Sequence, residues 1–466
     1  MNVPEESYEL YYQFAKDKLS RKRFVSRMGA IGASAATIGA FLQAYKPGAV
    51  EAAERAAAQR PASPSNQVTI TVYSWITSLN PPIYDAVKAY NALHKDRPPV
   101  VLQLAPTVNF SINTFLLEAR HHKSTWDVYF GTTPFVEMSQ LYATGAVEPW
   151  DPYVSSSFMS DLFPAVRQEA SVGGKLIDFP MLLDSIGYGY RKDYFKAAGI
   201  TTPPATWEDY IAAAKTISTK LQSHKPRVYG ATYDLRAWRS FVPIAHSIDT
   251  NIYTKDGYLD WANKEGVFRQ TLTYMKNIIA YAPPDVFAPG AAEAASSDEV
   301  EFKSGTVAML EKYYNAPVRA GKVFGTNNLG LARLPKPAAG GAGGTVFWNT
   351  GAGLLKYGQN KQAAADFFEF LSYNETFWKS SVFNAQLPCV KSAYDKVLKP
   401  WAPSYINEVV DVMPFSRAIP NDLYNLVQFF ALADAYTPFL KGQISLDQAI
   451  SDAKAKTAKA ISTGGA

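Results

Sequence analysis

From residue 67 onward, short segments in which apolar residues recur every second position alternate with segments in which they recur every three to four positions. Val68 to Tyr73 alternates every second residue, which predicts a strand, and the stretch from about Pro82 to His94 has the spacing of a helix. The same order recurs with a strand over Val100 to Ala105, a helix over Ser111 to His121 and a strand over Asp127 to Phe130. Strands that alternate with helices indicate an α/β fold with a parallel sheet.

The ends of these strands are the first candidate ligand contacts. In open α/β sheets, ligands bind beyond the carboxyl ends of the strands. The first predicted strand ends at Ser74-Trp75, before a predicted loop from Ile76 to Pro82, while Thr132 and Thr133 follow the third strand. We therefore predict that these three residues contact a ligand.

A different pattern runs from Pro180 to Lys215. An apolar run ends at a lone acid, Asp184, and small residues that predict a flexible step follow it. A short amphipathic helix then closes at Gly199, which serves as a helix stop. Pro203-Pro204 forces an extended link, and Thr206 caps a second helix that carries acids in its first turn.

Aromatic residues mark the second half of the chain. A predicted strand over Val307 to Met309 is followed by Tyr313 and Tyr314. Adjacent tyrosines at a strand end are unusual as core residues, since each hydroxyl needs a partner. We predict that at least one of them lies in a cleft. Trp238 follows another predicted strand. At this position a tryptophan could equally be a ligand platform or a core residue.

Composition narrows the class of protein. The 466 residues are 47% apolar, which is enough for two or three domain-sized cores. The formal net charge of +5 comes without a basic stripe in the body, so nucleic acid is not an expected partner. The single cysteine, Cys389, excludes an intrachain disulfide and a cysteine zinc cluster. His121-His122 does not predict a metal site, because adjacent helix residues point apart. No cofactor is predicted.

Residues 1–52 have the arrangement of an export signal. A basic group, Ser20 to Val25, precedes a mildly apolar run from Met28 to Leu42, and Val50-Glu51-Ala52 follows as a cleavage site. The basic group resembles the twin-arginine export motif, with Lys22 in place of the second arginine. An ordinary amphipathic N-terminal helix is the alternative. Residues 53–66 predict a flexible tether, and the expected location is the periplasm or the outer face of the membrane.

Two motifs carry a family resemblance. Tyr190-x-x-Asp193-x-Phe195-x-x-x-Gly199, followed by Pro203-Pro204-x-Thr206-Trp207-Glu208, resembles the family 1 extracellular solute-binding proteins of ABC importers, above all their sugar-binding members. Arg191 stands where these proteins usually have asparagine. The second motif runs from Glu301 to Met309, where an acidic helix ends at Phe-x-x-Gly before a Val-Ala-Met strand. The resemblance covers nearly all of residues 67–460.

The resemblance implies an α/β fold of the two-lobed, type II periplasmic-binding-protein kind. Each lobe is a sheet flanked by helices, and the ligand lies in a cleft between the lobes. Residues 67–183 and 336–390 would form the first lobe, and residues 184–335 and 391–466 the second. The segment around Asp184 would be the first crossing between them.

The resemblance also implies where the ligand binds. Asp184 would face the cleft, as would the residues after the Val-Ala-Met strand, the aromatic Trp348 with Asn349, and a loop that contains Arg417. Together with the strand-end residues, the predicted ligand-binding set is Trp75, Thr132, Thr133, Asp184, Trp238, Tyr313, Tyr314, Asn315, Trp348, Asn349 and Arg417.

The predicted function is therefore capture of a mono- or oligosaccharide by a monomer that delivers it to an ABC permease, without catalysis. A non-sugar solute is the alternative: a polyol, a glycerol phosphate ester, a peptide, or a ferric ion held by the paired tyrosines. A carbohydrate hydrolase is a further alternative. It would need two carboxylates across one bond, and Asp184 has only Asp234 and Glu311 as candidate partners.

Overall fold

The computed structural model describes residues 3–45, 53–54, 57–105, 112–287, 297–398, 401–421 and 424–463. The strands are β1 (Val68–Val72), β2 (Val100–Leu104), β3 (Val128–Thr132), β4 (Val147–Glu148), β5 (Ser171–Val172), β6 (Lys175–Leu176), β7 (Phe179–Arg191), β8 (Tyr229–Tyr233), β9 (Val307–Tyr313), β10 (Leu329–Arg333), β11 (Val346–Leu355), β12 (Leu387–Pro388) and β13 (Arg417–Ala418).

Helices flank these strands throughout. They are α1 (Glu6–Ala15), α2 (Arg21–Ala30), α3 (Ala35–Ala44), α4 (Ser74–Leu79), α5 (Ile83–Leu93), α6 (Asn113–Arg120), α7 (Ser139–Ala143), α8 (Ser156–Asp161), α9 (Pro164–Glu169), α10 (Lys192–Ala198), α11 (Trp207–Lys220), α12 (Phe241–Ile248), α13 (Glu265–Ile279), α14 (Ser297–Ser304), α15 (Asn315–Phe324), α16 (Lys361–Ser372), α17 (Glu375–Phe383), α18 (Lys391–Ala393), α19 (Ile406–Val412), α20 (Asn425–Leu440) and α21 (Leu446–Thr463). A π-helical turn, Pro134–Met138, lies between β3 and α7.

The sheet follows the order β2-β1-β3-β11-β7-β9-β8. The β1 strand pairs in parallel with β2 and β3, as the alternation of strands and helices predicts, and β8 pairs in parallel with β9. In the centre of the sheet, β11 pairs antiparallel with β3 and with β7, and β7 pairs antiparallel with β9. The protein is thus a two-lobed α/β fold, and the predicted fold class is confirmed.

The long strand β7 joins the two lobes. Its residues 179–185 pair with β11, and its residues 186–190 pair with β9. Ser185, Gly187 and Gly189 therefore lie inside a paired strand, and the predicted flexible step is wrong. The two glycines leave room for neighbours, because Tyr314 packs over Gly187 and Pro317 packs over Gly189.

The helices after the crossing match their sequence signals. The α10 helix ends at Gly199, which has a φ of 76° that favours glycine. Thr206 caps α11 by accepting a hydrogen bond from the backbone N–H of Asp209 at 3.1 Å. In contrast, the predicted loop after β1 is wrong, because Ser74–Leu79 forms a helix.

The segment before residue 46 packs against the first lobe. Tyr8, Phe24 and Phe41 are buried. The Tyr8 hydroxyl donates to the carbonyl oxygen of Thr144 at 3.0 Å, and Gln140 Nε2 donates to the carbonyl oxygen of Ala40 at 2.8 Å. Residues 3–45 therefore contribute three packed helices, and the role of residues 1–52 as an export signal stays a prediction. The predicted cleavage site, residues 50–52, lies outside the described residues.

Part of the predicted tether is anchored. The backbone N–H of Ser63 donates to the carbonyl oxygen of Ser124 at 2.7 Å, and Asn360 Nδ2 donates to the carbonyl oxygen of Pro64 at 2.8 Å. The sequence predicts a flexible tether over residues 53–66. In the structure, hydrogen bonds to the first lobe hold the backbone of this segment at Ser63 and Pro64.

The C-terminal helices cover both cores. The α20 and α21 helices pack together and against α13, and the assignment of residues 391–466 to the second lobe stays a prediction. Ile406, Val409 and Val412 of α19 belong to the core that contains β1 and β3. Within the described part of the chain, no helix is both long and apolar enough to cross a bilayer.

Candidate binding cleft between the lobes

The pairing of β7 sets the geometry of the cleft. Asp184 lies directly opposite Trp348 of β11, and Ile186, two residues further along β7, lies opposite Tyr313 of β9. Directly paired residues of antiparallel strands place their side chains on the same face, and side chains two residues apart share that face. Asp184, Trp348 and Tyr313 therefore project on one side of the sheet, at the place where the chain passes between the lobes.

Four aromatic rings form a continuous cluster at this place. Trp348 is 6.0 Å from Trp238 and 6.3 Å from Tyr313, measured between ring centroids, and both contacts are edge-to-face. Phe135, from the π-helical turn after β3, lies 5.5 Å from Trp238. Both residues belong to one hydrophobic core. By the predicted division of the chain, Phe135 is a first-lobe residue and Trp238 a second-lobe residue, so their contact would close the cleft across its aromatic side.

Asp184 receives hydrogen bonds from both lobes. Its Oδ1 accepts from Asn315 Nδ2 at 3.0 Å, and its Oδ2 accepts from Gln386 Nε2 at 3.1 Å. Asn315 begins α15, within the range predicted for the second lobe, whereas Gln386 precedes β12, within the range predicted for the first. Burial raises the pKa of Asp184 to about 6, although the two amide donors favour the charged form. At neutral pH the cleft therefore contains a carboxylate that can accept paired hydrogen bonds.

Buried charges lie next to the aromatic cluster in the second lobe. Lys312 Nζ is 3.4 Å from Asp234 Oδ2 and 3.2 Å from Glu299 Oε1. Arg236 forms a bidentate ion pair with Asp234, and Arg319 Nη2 donates to Glu299 Oε2 at 2.6 Å. Burial opposes the charge of Asp234, but Lys312 and Arg236 hold its pKa well below the usual range. Both carboxylates are therefore ionised and bound to cations.

Tyr313, Tyr314 and Asn315, which are adjacent and all predicted to bind ligand, lie in different surroundings. Asn315 lies in it, as described, and its Oδ1 accepts from Arg319. The Tyr313 hydroxyl donates to Glu299 Oε1 at 2.6 Å. Tyr314 is fully buried, and its hydroxyl donates to the carbonyl oxygen of Ala332 at 3.1 Å. One tyrosine of the pair thus lies at the cleft, and the other is a core residue behind the crossing strand.

The strand-end residues of the first lobe do not join the cluster. The buried Thr132 hydroxyl donates to Asp178 Oδ1 at 2.8 Å, within the first lobe. The Thr133 carbonyl oxygen accepts the first hydrogen bonds of the π-helical turn. Trp75 is half-buried on α4. Arg417 is exposed, and its Nη1 donates to Asn251 Oδ1 at 2.9 Å. A role for these four residues in ligand binding stays a prediction.

Asn349 points away from Trp348. Its Nδ2 donates to Glu169 Oε2 at 2.7 Å, and its backbone N–H donates to the same carboxyl group at 3.2 Å. Neighbouring residues of a strand face opposite sides, so Asn349 is directed into the first lobe. Burial raises the pKa of Glu169 to about 8 despite these two donors.

We expect Glu169 to make stability fall as pH rises. Its pKa is 4.5 in an unfolded reference and about 8 in the folded protein. Between these values the folded protein holds a proton that the unfolded chain has lost, so the free energy of unfolding decreases with pH. Glu169→Gln should reduce this decrease between pH 5 and pH 8 by about 2 kcal/mol or more. Urea denaturation at several pH values measures it.

A surface glutamate supplies the control. Glu265 forms ion pairs with Arg269 and Lys454, and these hydrogen bonds lower its pKa. Its titration therefore lies below this window, and Glu265→Gln should leave the pH slope between pH 5 and pH 8 unchanged. A Glu169→Gln slope equal to that of the unsubstituted protein would show that Glu169 keeps its charge in the folded state.

The cleft also contains residues outside the predicted ligand-binding set, namely Phe135, Arg239, Glu299, Arg319 and Gln386. Phe135 follows the end of β3, so the strand-end rule that selects Thr132 and Thr133 could have selected it too. The charged residues depend on ion pairs between distant parts of the chain. Asp234 and Glu311, the candidate second carboxylates of a hydrolase, are both engaged: Asp234 by cations, and Glu311 by the Tyr274 hydroxyl at 2.9 Å.

The described residues also bear on metal binding. Across the parts of the chain that the structure describes, no group of three or more His, Cys, Asp or Glu side chains is arranged to hold a metal ion. The hydroxyls of Tyr313 and Tyr314 both donate to protein oxygens. The cleft thus consists of aromatic faces, one carboxylate with amide partners, and buried ion pairs.

Comparison with known proteins relates this chain to solute-binding proteins. The family model for bacterial extracellular solute-binding proteins matches residues 54–376. A probable ABC transporter-binding protein of Deinococcus radiodurans is 26% identical over 275 residues, which are 55% of this chain and 62% of that protein. The match thus spans less than two thirds of that relative.

Solved structures share the fold at low identity. The maltotriose-binding protein of Thermus thermophilus aligns with a TM-score of 0.61 and 19% identity, over 85% of this chain and 100% of its own. The sugar-binding protein MalE of Xanthomonas citri aligns with a TM-score of 0.69 and 20% identity, over 85% and 97%. At these identities the likeness concerns the two-lobed fold.

Proposed function

Because this chain belongs to the bacterial extracellular solute-binding proteins, we propose that it binds a carbohydrate in the interlobe cleft and delivers it to the membrane permease of an ABC importer. The observation that carries this proposal is the placement of Trp348, Trp238 and Tyr313 beside Asp184. The protein acts without catalysis, as a monomer outside the cytoplasm, and residues 1–52 direct its export.

The chemistry of the cleft suits a sugar. A sugar ring has apolar C–H faces and a rim of hydroxyl groups. The faces of Trp348 and Trp238 offer apolar area with little conformational freedom to lose. Asp184 accepts two hydrogen bonds at present, from Asn315 and Gln386, and sugar hydroxyls can take the place of these donors. A buried donor or acceptor left unpaired costs about 1–3 kcal/mol, so the carboxylate discriminates between arrangements of hydroxyls.

The same contacts explain how ligand binding would be coupled to closure. Phe135 and Gln386 come from the first lobe, and Trp238 and Asn315 come from the second. Separation of the lobes about β7 would break the Phe135–Trp238 contact and the bonds to Asp184. A ligand between them would reconnect the lobes, and the closed form would be the one that a permease recognises. That structural neighbours bind maltotriose or are described as sugar-binding supports this proposal.

A thermal-shift screen tests the proposal. The full chain would be heated with mono- and oligosaccharides, polyols, amino acids, peptides, phosphate esters and ferric ion. A ligand at about 100 times its dissociation constant stabilises the folded state by roughly 2.7 kcal/mol. We expect a shift with one class of saccharide. Shifts with ferric ion, peptide or amino acid alone, and with no carbohydrate, would refute the carbohydrate assignment.

A further inference from the structure

We propose that Arg239 binds an anionic group carried by the saccharide, a carboxylate, phosphate or sulfate, and this inference rests on the carbohydrate function proposed above. The guanidinium lies at the aromatic cluster itself. Its Cζ is 4.1 Å from the centroid of the Trp238 ring and 4.8 Å from that of Tyr313. Arg239 is thus the cation in direct contact with two of the rings on which a sugar would stack.

Arg239 makes few hydrogen bonds for its five donors. Its Nη1 donates to Asp234 Oδ2 at 3.3 Å, which is long for a charge-assisted bond. Its Nε is buried and has no hydrogen-bond partner. A buried N–H group without a partner is uncommon in folded proteins and indicates a place where an acceptor is expected. The free donor of Arg239 therefore points to a ligand oxygen.

Asp234 does not need Arg239 as its counter-ion. The Arg236 backbone N–H and Nε donate to Asp234 Oδ1 at 3.0 and 2.8 Å, and Arg236 Nη2 donates to Oδ2. Lys312 Nζ lies 3.4 Å from the same carboxylate. Both oxygens of Asp234 are therefore satisfied before Arg239 contributes, so this guanidinium remains available to a ligand.

The balance of charge favours an anion. Four cations, Lys312, Arg236, Arg239 and Arg319, share the two carboxylates Asp234 and Glu299. Asp184 is the remaining acid of the cleft, and it already accepts two amide hydrogen bonds. Even with Asp184 ionised, the group retains a positive charge. An anionic substituent would neutralise it in a buried setting, where charge interactions are strong.

The two ends of the cleft would then bind different parts of the ligand. Asp184 repels anions, so neutral hydroxyls belong at its end, beside Trp348. Arg239 lies against Trp238 and Tyr313, so the anionic group belongs at that end. A guanidinium stacked on an aromatic face keeps its edge free for paired hydrogen bonds to a carboxylate or phosphate. The ligand class is therefore an acidic saccharide with its charge at one end.

Matched pairs of ligands test this inference by titration calorimetry. Glucose and galactose would each be compared with their uronates, 6-phosphates and 6-sulfates, at 50 and 300 mM salt, a change that shortens the Debye length roughly 2.4-fold. We expect one anionic form to bind at least tenfold more tightly than its neutral parent, with a difference that shrinks at high salt. The uronate, phosphate and sulfate arms identify the anion.

Variants separate ligand binding from a structural role. Arg239→Gln should weaken binding of the anionic ligand tenfold or more and binding of the neutral parent by a clearly smaller factor, while Arg239→Lys, which keeps the charge but loses the fork, should be intermediate. Arg269→Gln is the control, because Arg269 pairs with Glu265 and Asp447 on the surface. It should change neither affinity.

Each outcome has a distinct meaning. Equal binding of neutral and anionic partners by the unsubstituted protein would overturn the role of Arg239 and leave the carbohydrate function standing. Equal losses for both partners in Arg239→Gln would make Arg239 a structural counter-ion only. Binding of no saccharide, with a shift for another solute, would refute the proposed function itself. The ligand comparison requires no variant, so it holds even if Arg239→Gln does not fold.

Discussion

Replacing Trp348 with alanine should raise the dissociation constant of the saccharide by roughly 30- to 150-fold. Trp348 contacts both Trp238 and Tyr313 and lies opposite Asp184 on the neighbouring strand. Its loss would remove the central stacking face, a change worth about 2–3 kcal/mol of binding free energy. Titration calorimetry with the saccharide found by screening measures the effect. Trp348→Phe keeps a ring at this position and should recover most of the affinity.

A second tryptophan supplies the matched control. Removal of a buried tryptophan also lowers stability, by about 3–5 kcal/mol, so loss of binding alone is ambiguous. Trp261 packs against Phe268 at 4.6 Å within the second lobe, outside the cluster. Trp261→Ala should lower the melting temperature and leave the dissociation constant unchanged. Equal binding by Trp348→Ala and the unsubstituted protein would remove Trp348 from the site.

Trp348 and Asn349 show how well a local sequence pattern predicts which side chains face the cleft. The resemblance placed both at the cleft. The structure places them in β11, where neighbouring residues face opposite sides, so one reaches Trp238 and the other reaches Glu169. Had the segment been treated as a strand, the period of two would have excluded the pair. Thr132 is similar, because it ends β3 as part of the strand and its hydroxyl is used inside the lobe.

The different positions of Tyr313, at the cleft, and Tyr314, in the core, have a related cause. Tyr313 is the last residue of β9, whereas Tyr314 precedes α15 and turns behind β7. The sequence indicated that one of them would meet the cleft, but the choice depends on where the strand ends. Strand ends are set by pairing with a distant partner, here Ile186. Local propensity does not contain that information.

The ion pairs of the cleft could not be predicted from the sequence. Glu299, Lys312 and Arg319 come from α14, β9 and α15, and Asp234 and Arg239 follow β8. Their grouping results from the order in which β7, β9 and β8 pair. In contrast, the alternation of strands and helices and the motif after Tyr190 were enough for the fold class. Element type is a local property, and ion pairing is a property of the assembled sheet.

Gly187→Ala should lower the free energy of unfolding by roughly 3 kcal/mol. An added Cβ at this position of β7 would lie 2.5 Å from Tyr314 Cε1 and still closer to its Cζ and hydroxyl oxygen. Tyr314 is fully buried, and its hydroxyl is held by the carbonyl oxygen of Ala332, so the ring cannot move aside without breaking that bond. Urea denaturation measures the loss.

The same change should also weaken ligand binding. Tyr314 lies between Tyr313, which contacts Trp348, and Asn315, which donates to Asp184. A displaced Tyr314 would shift both neighbours, because packed interiors transmit strain. Gly266→Ala is the control: a Cβ there meets no atom within 4 Å, and Gly266 lies in α13, so stability should stay unchanged or rise by up to about 1 kcal/mol. If both variants proved equally stable, Tyr314 would not pack against the crossing strand, and the positions of Tyr313 and Asn315 in the cleft would lose their support.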